Sequence, residues 1–328
     1  MTSGTDGLQP LPQADLATWD NMDRAVTVGF RAVGHSRGSL PLLYDLARGD
    51  EPLSYLIAQE LLQQRGAHVG ILTGAAVPEY LPNGENDGPL GAIVLGNALK
   101  ALGYRVTILT ESELFRVFDE LFGVYGSTLD IIELDKNDAA DHAGTAPDLD
   151  ALISIEKLGS NAKHVMHGAT GVSRNGTRAH VDGLVNRLND AGKLTVGIGD
   201  GGNEIGFGKI YTEARELLDY GKQCRCECND GIVTITGTKY LFPVGVSNWG
   251  AYAVTSALAA ATKELGILHT PERELEIIAA ATRVDCRDGG AGTARDYVDS
   301  VPARTSAAIV EILKALAEKV DERSDRPF

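Results

Sequence analysis

The segment LTVGIGDGGNE, residues 194–204, decides the fold of this chain. Its first five residues are mostly apolar and predict a short buried strand. The glycines and acidic residues after them predict a tight turn, and we expect a helix over residues 204–220. A strand followed by a glycine turn and a helix is the unit from which mainly parallel sheets are built.

The same alternation runs outward from this segment in both directions. Strands are predicted at residues 68–72, 105–109, 129–134, 151–155 and 240–246. Helices are predicted at residues 54–64, 89–102, 111–120, 181–191, 249–265, 272–281 and 306–320, with Ser54 as the N-cap of the first. This pattern predicts an α/β fold in which a mostly parallel, twisted sheet is flanked by helices.

Two further regions complete the predicted organisation. Residues 224–228 and 232–236 predict two strands joined by a turn, which gives a small antiparallel element near residues 224–246. Residues 1–30 are rich in Gly, Pro, Asp and Thr and predict a flexible N-terminal arm. Residues 31–328 then form one α/β domain.

Composition excludes several classes of function. The 328 residues are 43% hydrophobic, and 30 basic against 45 acidic residues give a net charge of −15. That composition excludes wholesale disorder, and the acidic balance argues against nucleic acid as a partner. Without an apolar run of about 18 residues or a leader-like N-terminus, we expect a cytoplasmic protein with no membrane partner. Self-association into a homo-oligomer remains open.

The glycine-rich turn has three interpretations. Gly197, Gly199 and Gly202 fit the spacing G-x-G-x-x-G, but Asp200 and Glu204 place negative charge where a pyrophosphate would sit. We therefore predict no nucleotide cofactor. Asp200, Asn203 and Glu204 instead offer oxygen ligands for a hard cation. The remaining interpretation is a tight turn with a capping side chain.

Other polar segments follow the predicted strands or precede a predicted helix. The loop GENDGP, residues 84–89, contributes Glu85 and Asp87, which also suit a hard cation. Carboxyl ends of parallel strands meet at one edge of a sheet, where ligands bind. Groups just beyond predicted strands are therefore expected to converge there: Thr73, Gly74, Glu156, Asp200 and Asn248.

Five segments together resemble one known family. They are TG (73–74), GENDGPLGA (84–92), IE (155–156), GIGDGGNEIGFG (197–208) and GVSNWGAY (245–252). In this order they are similar to the C-terminal domain of D-glutamate cyclase, and the likeness extends from about residue 31 onward. The family usually has Thr where this chain has Asn86, and Arg-Pro-Gly-x-Ala-Ala-Asp-Gly where it has residues 157–164. We expect that second segment to face the substrate.

The resemblance implies a lyase that converts free D-glutamate to 5-oxo-D-proline and water, assisted by a divalent cation. The expected cation is Mg²⁺, Mn²⁺ or Ca²⁺, held by Glu85, Asp87, Asp200, Asn203 and Glu204. Glu156 is the candidate base, His164 or His167 could replace it, and Asp200 is also counted as catalytic. The small amino-acid substrate would contact Thr73, Gly74, Lys157, Asn161, Lys163, Ser247 and Asn248.

Two other hypotheses compete with the cyclase. A metal-dependent phosphoester hydrolase would also use acidic loops at strand ends, and a basic residue near the cluster would favour it. A pocket sized for one amino acid would favour the cyclase. The third hypothesis is a binding module in which the acidic groups hold a cation without catalysis.

The cysteines pose a separate question. Cys224, Cys226 and Cys228 alternate with charged residues, so on a strand their thiols would form one face packed on the core. The alternative adds Cys286 and makes a structural zinc site, although C-x-C-x-C is not the usual zinc spacing.

Overall fold

The computed structural model describes residues 16–30, 38–74, 76–146 and 148–320. Its main sheet contains six parallel strands: β1 (His68–Leu72), β2 (Arg105–Thr110), β3 (Asp130–Glu133), β4 (Ala151–Ile155), β5 (Leu194–Gly199) and β6 (Tyr240–Pro243). They lie in the order β3-β2-β1-β4-β5-β6. This order reverses between β1 and β4, and such a switch point is where open α/β sheets bind ligands.

Ten helices accompany the sheet in the described parts of the chain. They are α1 (Ala17–Val26), α2 (Leu40–Arg48), α3 (Leu53–Leu62), α4 (Pro89–Ala101), α5 (Phe115–Tyr125), α6 (Asp182–Asp190), α7 (Tyr211–Leu217), α8 (Ser247–Thr262), α9 (Pro271–Arg283) and α10 (Ala303–Glu318). Among the described residues, no helix is long and apolar enough to cross a membrane.

The sheet has a large core on one face and a smaller one on the other. The large core includes side chains of α1, α3, α4, α5, α8, α9 and α10. On the other face, Leu184 and Leu188 of α6 join a cluster with Leu72 and Leu152 of the strands. Because both faces are covered, β1, β4 and β5 are buried along their whole length. The predicted α/β fold with a mostly parallel sheet is confirmed.

Helices α4 and α8 approach each other closely, and this contact positions the site. A Cβ atom on Gly91 would lie 3.0 Å from the Ala251 Cβ and from the Asn248 Cα. Gly91 therefore allows the first turns of both helices to lie side by side. Helix N-termini carry partial positive charge, so this edge of the sheet favours carboxylates.

The predicted helix over residues 204–220 is largely wrong. A 3₁₀ turn, Gly208–Ile210, leads into the short α7, and residues 204–207 are not helical. Gly206 has φ 113° and packs against the Gly197 backbone, while the Ile205 and Gly206 amides donate to Lys157 and Thr236 carbonyls. These amides therefore bond to neighbouring segments of the chain and do not form the hydrogen bonds of a helix.

The small antiparallel element lies elsewhere than predicted. It pairs β7 (Tyr297–Val298) with β8 (Val301–Pro302), and residues 224–228 and 232–236 form turns and bends without strands. The expected row of three thiols on a strand face is therefore wrong. The three sulfur atoms instead lie within 3.4 Å of one another.

Two predictions near the N-terminal end also need correction. Within the predicted arm, residues 17–26 form α1, whose Trp19, Met22 and Val26 are buried in the core; residues 1–15 lie outside the described residues. Ser54 is not the N-cap of α3, because the helix begins at Leu53. Asp23, a residue of α1, caps α3 instead, because its carboxylate accepts hydrogen bonds from the Leu53 and Ser54 amides.

Candidate active site

A cavity of about 590 Å³ opens at the carboxyl edge of the sheet. Its wall combines acidic side chains with two arginines: Glu85, Glu156, Asp200, Glu204, Asp299, Arg174 and Arg178. Glu156 directly follows β4 and Asp200 directly follows β5, so the cavity adjoins the switch point of the sheet. This is the location that the sequence predicts for a ligand site.

Three carboxylates form the centre of the site. One oxygen from each of Asp87, Glu156 and Asp200 lies within 4.8 Å of the other two. Asp87 and Asp200 are buried, and Glu156 is half-buried. Carboxylate oxygens gathered in this way are ligands for a hard divalent cation, and the donor set therefore fits one.

Asp87 is held by the first turn of α8. Its Oδ2 accepts from the Ser247 amide at 3.0 Å, and its Oδ1 accepts from the Asn248 amide at 2.8 Å. Burial raises the pKa of the Asp87 carboxyl well above its ordinary value, and the charge of Glu156 raises it further. A bound cation would offset the unfavourable free energy of keeping the buried Asp87 carboxylate ionised beside Glu156.

Glu156 has a strained backbone at the centre of the cluster. Its φ is 55°, in the left-handed region that side chains with a Cβ seldom adopt. The Ser247 hydroxyl donates to Glu156 Oε2 at 2.5 Å. Such strain persists where surrounding contacts enforce it, and it concentrates at functional sites.

Glu204 and Asn203 support the glycine-rich turn. The Gly201 amide donates to Glu204 Oε1 at 3.1 Å, and the Gly202 amide donates to Oε2 at 2.9 Å. Glu204 also lines the cavity. Its carboxylate accepts hydrogen bonds from the backbone amides that a pyrophosphate would need. Burial, with the charges of Glu156 and Asp200, raises its pKa. Asn203 Nδ2 donates to the His167 carbonyl at 2.8 Å, and its buried Oδ1 has no hydrogen-bond partner among the described residues.

Thr73 and Gly74 pack at the same edge, where space is short. A Cβ on Gly88 would lie 2.5 Å from Thr73 Oγ1, and Gly88 has φ 97°, so glycine is required there. Gly74 has φ 119° and lies against the side chains of Thr110 and Glu111. Neither Thr73 nor Gly74 lines the cavity as Glu156 does.

Asn248 is occupied by the scaffold. Its Oδ1 accepts from the Gly88 amide at 2.9 Å and from the Gly91 amide at 2.6 Å. Its Nδ2 donates to the Asn86 carbonyl at 3.0 Å. The side chain fastens α8 to the start of α4, which accounts for its polar groups without a substrate.

Lys157 is not a pocket residue. It is fully buried, and its Nζ donates at 2.5 Å to Glu111 Oε1, which also accepts from the Ala179 amide at 2.8 Å. Burial lowers the pKa of the Lys157 ammonium, and Glu111 opposes that effect. The expected contact between Lys157 and substrate is therefore replaced by a buried ion pair that holds the segment carrying Arg178.

Three other predicted site residues lie outside the cavity. Lys163 is exposed. The His164 imidazole is also exposed and stacks on His180 with the ring centroids 4.5 Å apart. Asn161 is buried, and its Nδ2 donates to the Gly231 carbonyl at 2.8 Å. The structure does not bring these side chains to Glu156, so we assign none of them to substrate.

Sequence reasoning missed Arg174 and Arg178. Arg178 is buried, its Nη2 lies 4.0 Å from Glu85 Oε1, and its Nε donates to the Ala76 carbonyl. Burial and the neighbouring Arg178 lower the pKa of Arg174. The signal that could have indicated them is their position in the irregular segment between β4 and α6. That segment starts at the carboxyl edge of the sheet, where loops carry functional residues.

Comparison with known proteins agrees with this architecture. The family model described as "D-glutamate cyclase-like, C-terminal" matches residues 46–314. The protein named "D-glutamate cyclase, mitochondrial" of Homo sapiens is 27% identical over 201 residues, a match that covers 54% of this chain and 30% of the human protein. This chain thus corresponds to less than a third of that relative. Since the family match spans the sheet and every member of the carboxylate cluster, the chain belongs to the D-glutamate cyclase-like C-terminal family.

Proposed function

We propose that this protein is a cation-assisted lyase that closes a glutamate-like amino acid into a five-membered lactam and releases water. D-Glutamate is the first substrate to test, because the family and the human relative are named for it. The observation that carries the proposal is the carboxylate cluster of Asp87, Glu156 and Asp200. Glu156 and Asp200 of this cluster line the cavity, and Arg174 and Arg178 are in the same wall.

Lactam formation requires a new bond between the amine nitrogen and the side-chain carboxyl carbon. The ammonium group loses two protons, and the departing carboxylate oxygen takes up two and leaves as water. A base beside the amine and a folded substrate conformation lower this barrier. In this proposal a carboxylate of the cavity wall acts as the base, and the arginines hold the substrate in the folded conformation.

Glu156 is the proposed base. It lines the cavity, and the Ser247 hydroxyl fixes one of its oxygens, so its orientation is set before the substrate binds. Arg174 and Arg178 replace the lysines predicted from sequence as partners for the substrate carboxylates, since guanidinium groups pair well with carboxylate.

Asp87, Asp200 and Glu156 are the residues that would hold a divalent cation. When bound there, such an ion supplies charge neutralisation and polarisation of the substrate carboxylate. Glu85 and Glu204 line the cavity near this cluster, but the oxygens of Glu204 already accept backbone hydrogen bonds.

A phosphoester hydrolase is the second candidate, and the two arginines favour it. Arginine beside a carboxylate cluster also suits phosphate. The cavity volume of about 590 Å³ exceeds the needs of one free amino acid, which allows a substituted glutamate or a phosphoester.

The deciding experiment is an incubation of the purified protein with D-glutamate, L-glutamate, substituted glutamates and a phosphoester panel. Each is run with Mg²⁺ or Mn²⁺ and with chelator, and chromatography follows the free amine and the lactam. We expect lactam from one glutamate analogue, abolished in Glu156→Gln and retained in the surface control Lys163→Met. Phosphate release without any lactam would assign the hydrolase, and binding without turnover would leave a binding module.

A further inference from the structure

A second group of side chains whose ligand atoms could hold a metal ion adjoins the wall of the cavity. The sulfur atoms of Cys224, Cys226 and Cys228 form a triangle with edges of 3.4, 3.3 and 3.3 Å. His167 Nε2 lies 3.2 Å from the Cys226 sulfur and 3.5 Å from the Cys228 sulfur. The four side chains thus place one ligand atom each around a common centre.

This geometry differs from that of a disulfide. A disulfide requires an S–S distance of about 2.05 Å between one pair of sulfurs and leaves the third apart. Here the three sulfurs are nearly equidistant, and all three cysteines are free. Tetrahedral zinc with Zn–S bonds of about 2.3 Å separates its sulfurs by about 3.8 Å, so the observed triangle needs little expansion.

We propose that His167, Cys224, Cys226 and Cys228 bind one zinc ion as a structural site. Three thiolates and one imidazole are a closed set of soft and borderline ligands, which selects zinc over Mg²⁺ or Ca²⁺. Binding releases the thiol protons to solvent. Cys286, the fourth ligand considered from the sequence, is absent from the cluster, and His167 takes its place.

The surrounding chain is built to hold these ligands. His167 is fully buried, although it follows an exposed stretch of the chain at residues 162–164. Asn161 Nδ2 reaches the Cys228 sulfur at 3.4 Å, and its Oδ1 accepts from the Lys163 and Val165 amides. The Arg225 amide donates to the Gly171 carbonyl at 2.8 Å, which joins the cysteine turn to the His167 segment.

The site would fix the shape of the neighbouring cavity. The His167 carbonyl accepts a hydrogen bond from the side-chain Nδ2 of Asn203, and Asn203 belongs to the glycine-rich turn beside Asp200. Gly168 and Thr170 line the cavity directly after His167. A zinc ion would tie this wall to the cysteine turn, without belonging to the carboxylate cluster or depending on its chemistry.

The primary test measures zinc in the full chain purified without added metal and without a histidine tag. We expect about one zinc ion per chain, as a closed four-ligand site predicts. Cys226→Ser should lose most of the zinc and lower the melting temperature, whereas Cys286→Ser, a buried cysteine outside the cluster, should keep the zinc. Equal zinc content in both variants, or a disulfide among residues 224–228 found by mass spectrometry, would overturn the proposal.

A second measurement covers the case in which Cys226→Ser does not fold. The unmodified protein is denatured with chelator and reductant, then refolded with Zn²⁺, with Co²⁺ or without metal. We expect recovery of the fold to require metal, and the Co²⁺ form to show the strong visible absorption of a tetrahedral thiolate complex. Full refolding without metal, together with no visible band, would contradict the site whatever the protein catalyses.

Discussion

The Ser247 hydroxyl donates a hydrogen bond to Glu156 Oε2, with the two oxygens 2.5 Å apart. Ser247 is the first residue of α8, and Glu156 is the first residue after β4. The bond therefore joins the large helical layer to the switch point of the sheet, at the carboxylate we assign as base. It orients the side chain of a residue whose backbone has φ 55°.

We predict that Ser247→Ala lowers kcat for lactam formation by about 10-fold or more, the worth of one charge-assisted hydrogen bond. The backbone amide of residue 247 still donates to Asp87 in this variant, so the fold and the affinity for cation should change little. Steady-state kinetics at saturating cation measure the effect. Ser256→Ala, which removes a buried hydroxyl from the same helix, is the control. An equal fall in kcat for both variants would show that Ser247 does not act through Glu156.

A divalent cation should stabilise the protein through the carboxylate cluster. At about 100 times its Kd, a ligand that binds the native state alone adds about 2.7 kcal/mol to the free energy of unfolding. Asp200→Asn should abolish most of the resulting rise in melting temperature. Glu85→Gln, which removes the same charge from the cavity wall outside the cluster, should keep most of it. Loss of the response in Glu85→Gln with retention in Asp200→Asn would place the ion elsewhere.

The variant Glu156→Gln distinguishes the two roles proposed for Glu156, general base and cation ligand. Since Glu156 lies within 4.8 Å of the other two carboxylates, the variant should bind cation more weakly. If Glu156 is the base, turnover stays about 10²-fold or more below the unmodified protein even when cation is saturating, as general-base catalysis predicts. Recovery of full turnover at high cation concentration would leave Glu156 as a ligand alone.

The parts of the fold that could be predicted are those set by short-range patterns. β1, β4 and β5 are apolar runs that end at glycine or polar residues, and the sequence places each of them within a residue. Their parallel arrangement follows from the helices between them, and it correctly brings Glu156 and Asp200 to one edge.

The parts that could not be predicted depend on contacts between distant residues. The alternation of Cys224, Cys226 and Cys228 has the period of a strand, but these residues do not form one. The Cys226 sulfur contacts His167, which is 59 residues away in the chain. The sequence assigns Lys157 to the substrate because no residue near it in the chain indicates another partner. Its partner, Glu111, lies 46 residues away. Arg178 belongs to a long irregular segment whose local pattern specifies no position.

The buried pair of Lys157 and Glu111 gives a prediction about stability. Lys157→Met leaves the Glu111 charge buried without its cation, so the free energy of unfolding should fall by about 3–5 kcal/mol. The double variant Lys157→Met with Glu111→Gln should recover a large part of that loss, because the unpaired charge is gone. Urea denaturation measures both, and Lys163→Met, at an exposed neighbouring position, should change stability by less than about 0.5 kcal/mol. Equal losses in the single and double variants would contradict this account.

Asp23 makes the stability of the protein depend on pH. Burial raises the pKa of this carboxyl to about 6, although hydrogen bonds from Ser54, Tyr44 and Leu53 oppose the rise. The native state therefore binds a proton more tightly than the unfolded chain, whose aspartate has a pKa of about 3.9. Linkage then makes the Asp23 contribution to stability fall as pH rises from about 4 toward 6, and remain low above that.

Between pH 7 and pH 5, we expect this group alone to raise the free energy of unfolding by about 1 kcal/mol. The measurement is urea denaturation at both pH values for the unmodified protein, for Asp23→Asn and for Asp45→Asn, an exposed aspartate on α2. Asp23→Asn should be less stable because its amide cannot accept all the hydrogen bonds that cap α3, but its stability should change less with pH. Asp45→Asn should keep the pH dependence of the unmodified protein. The same pH dependence in all three would mean that Asp23 is ionised in the native state at pH 5.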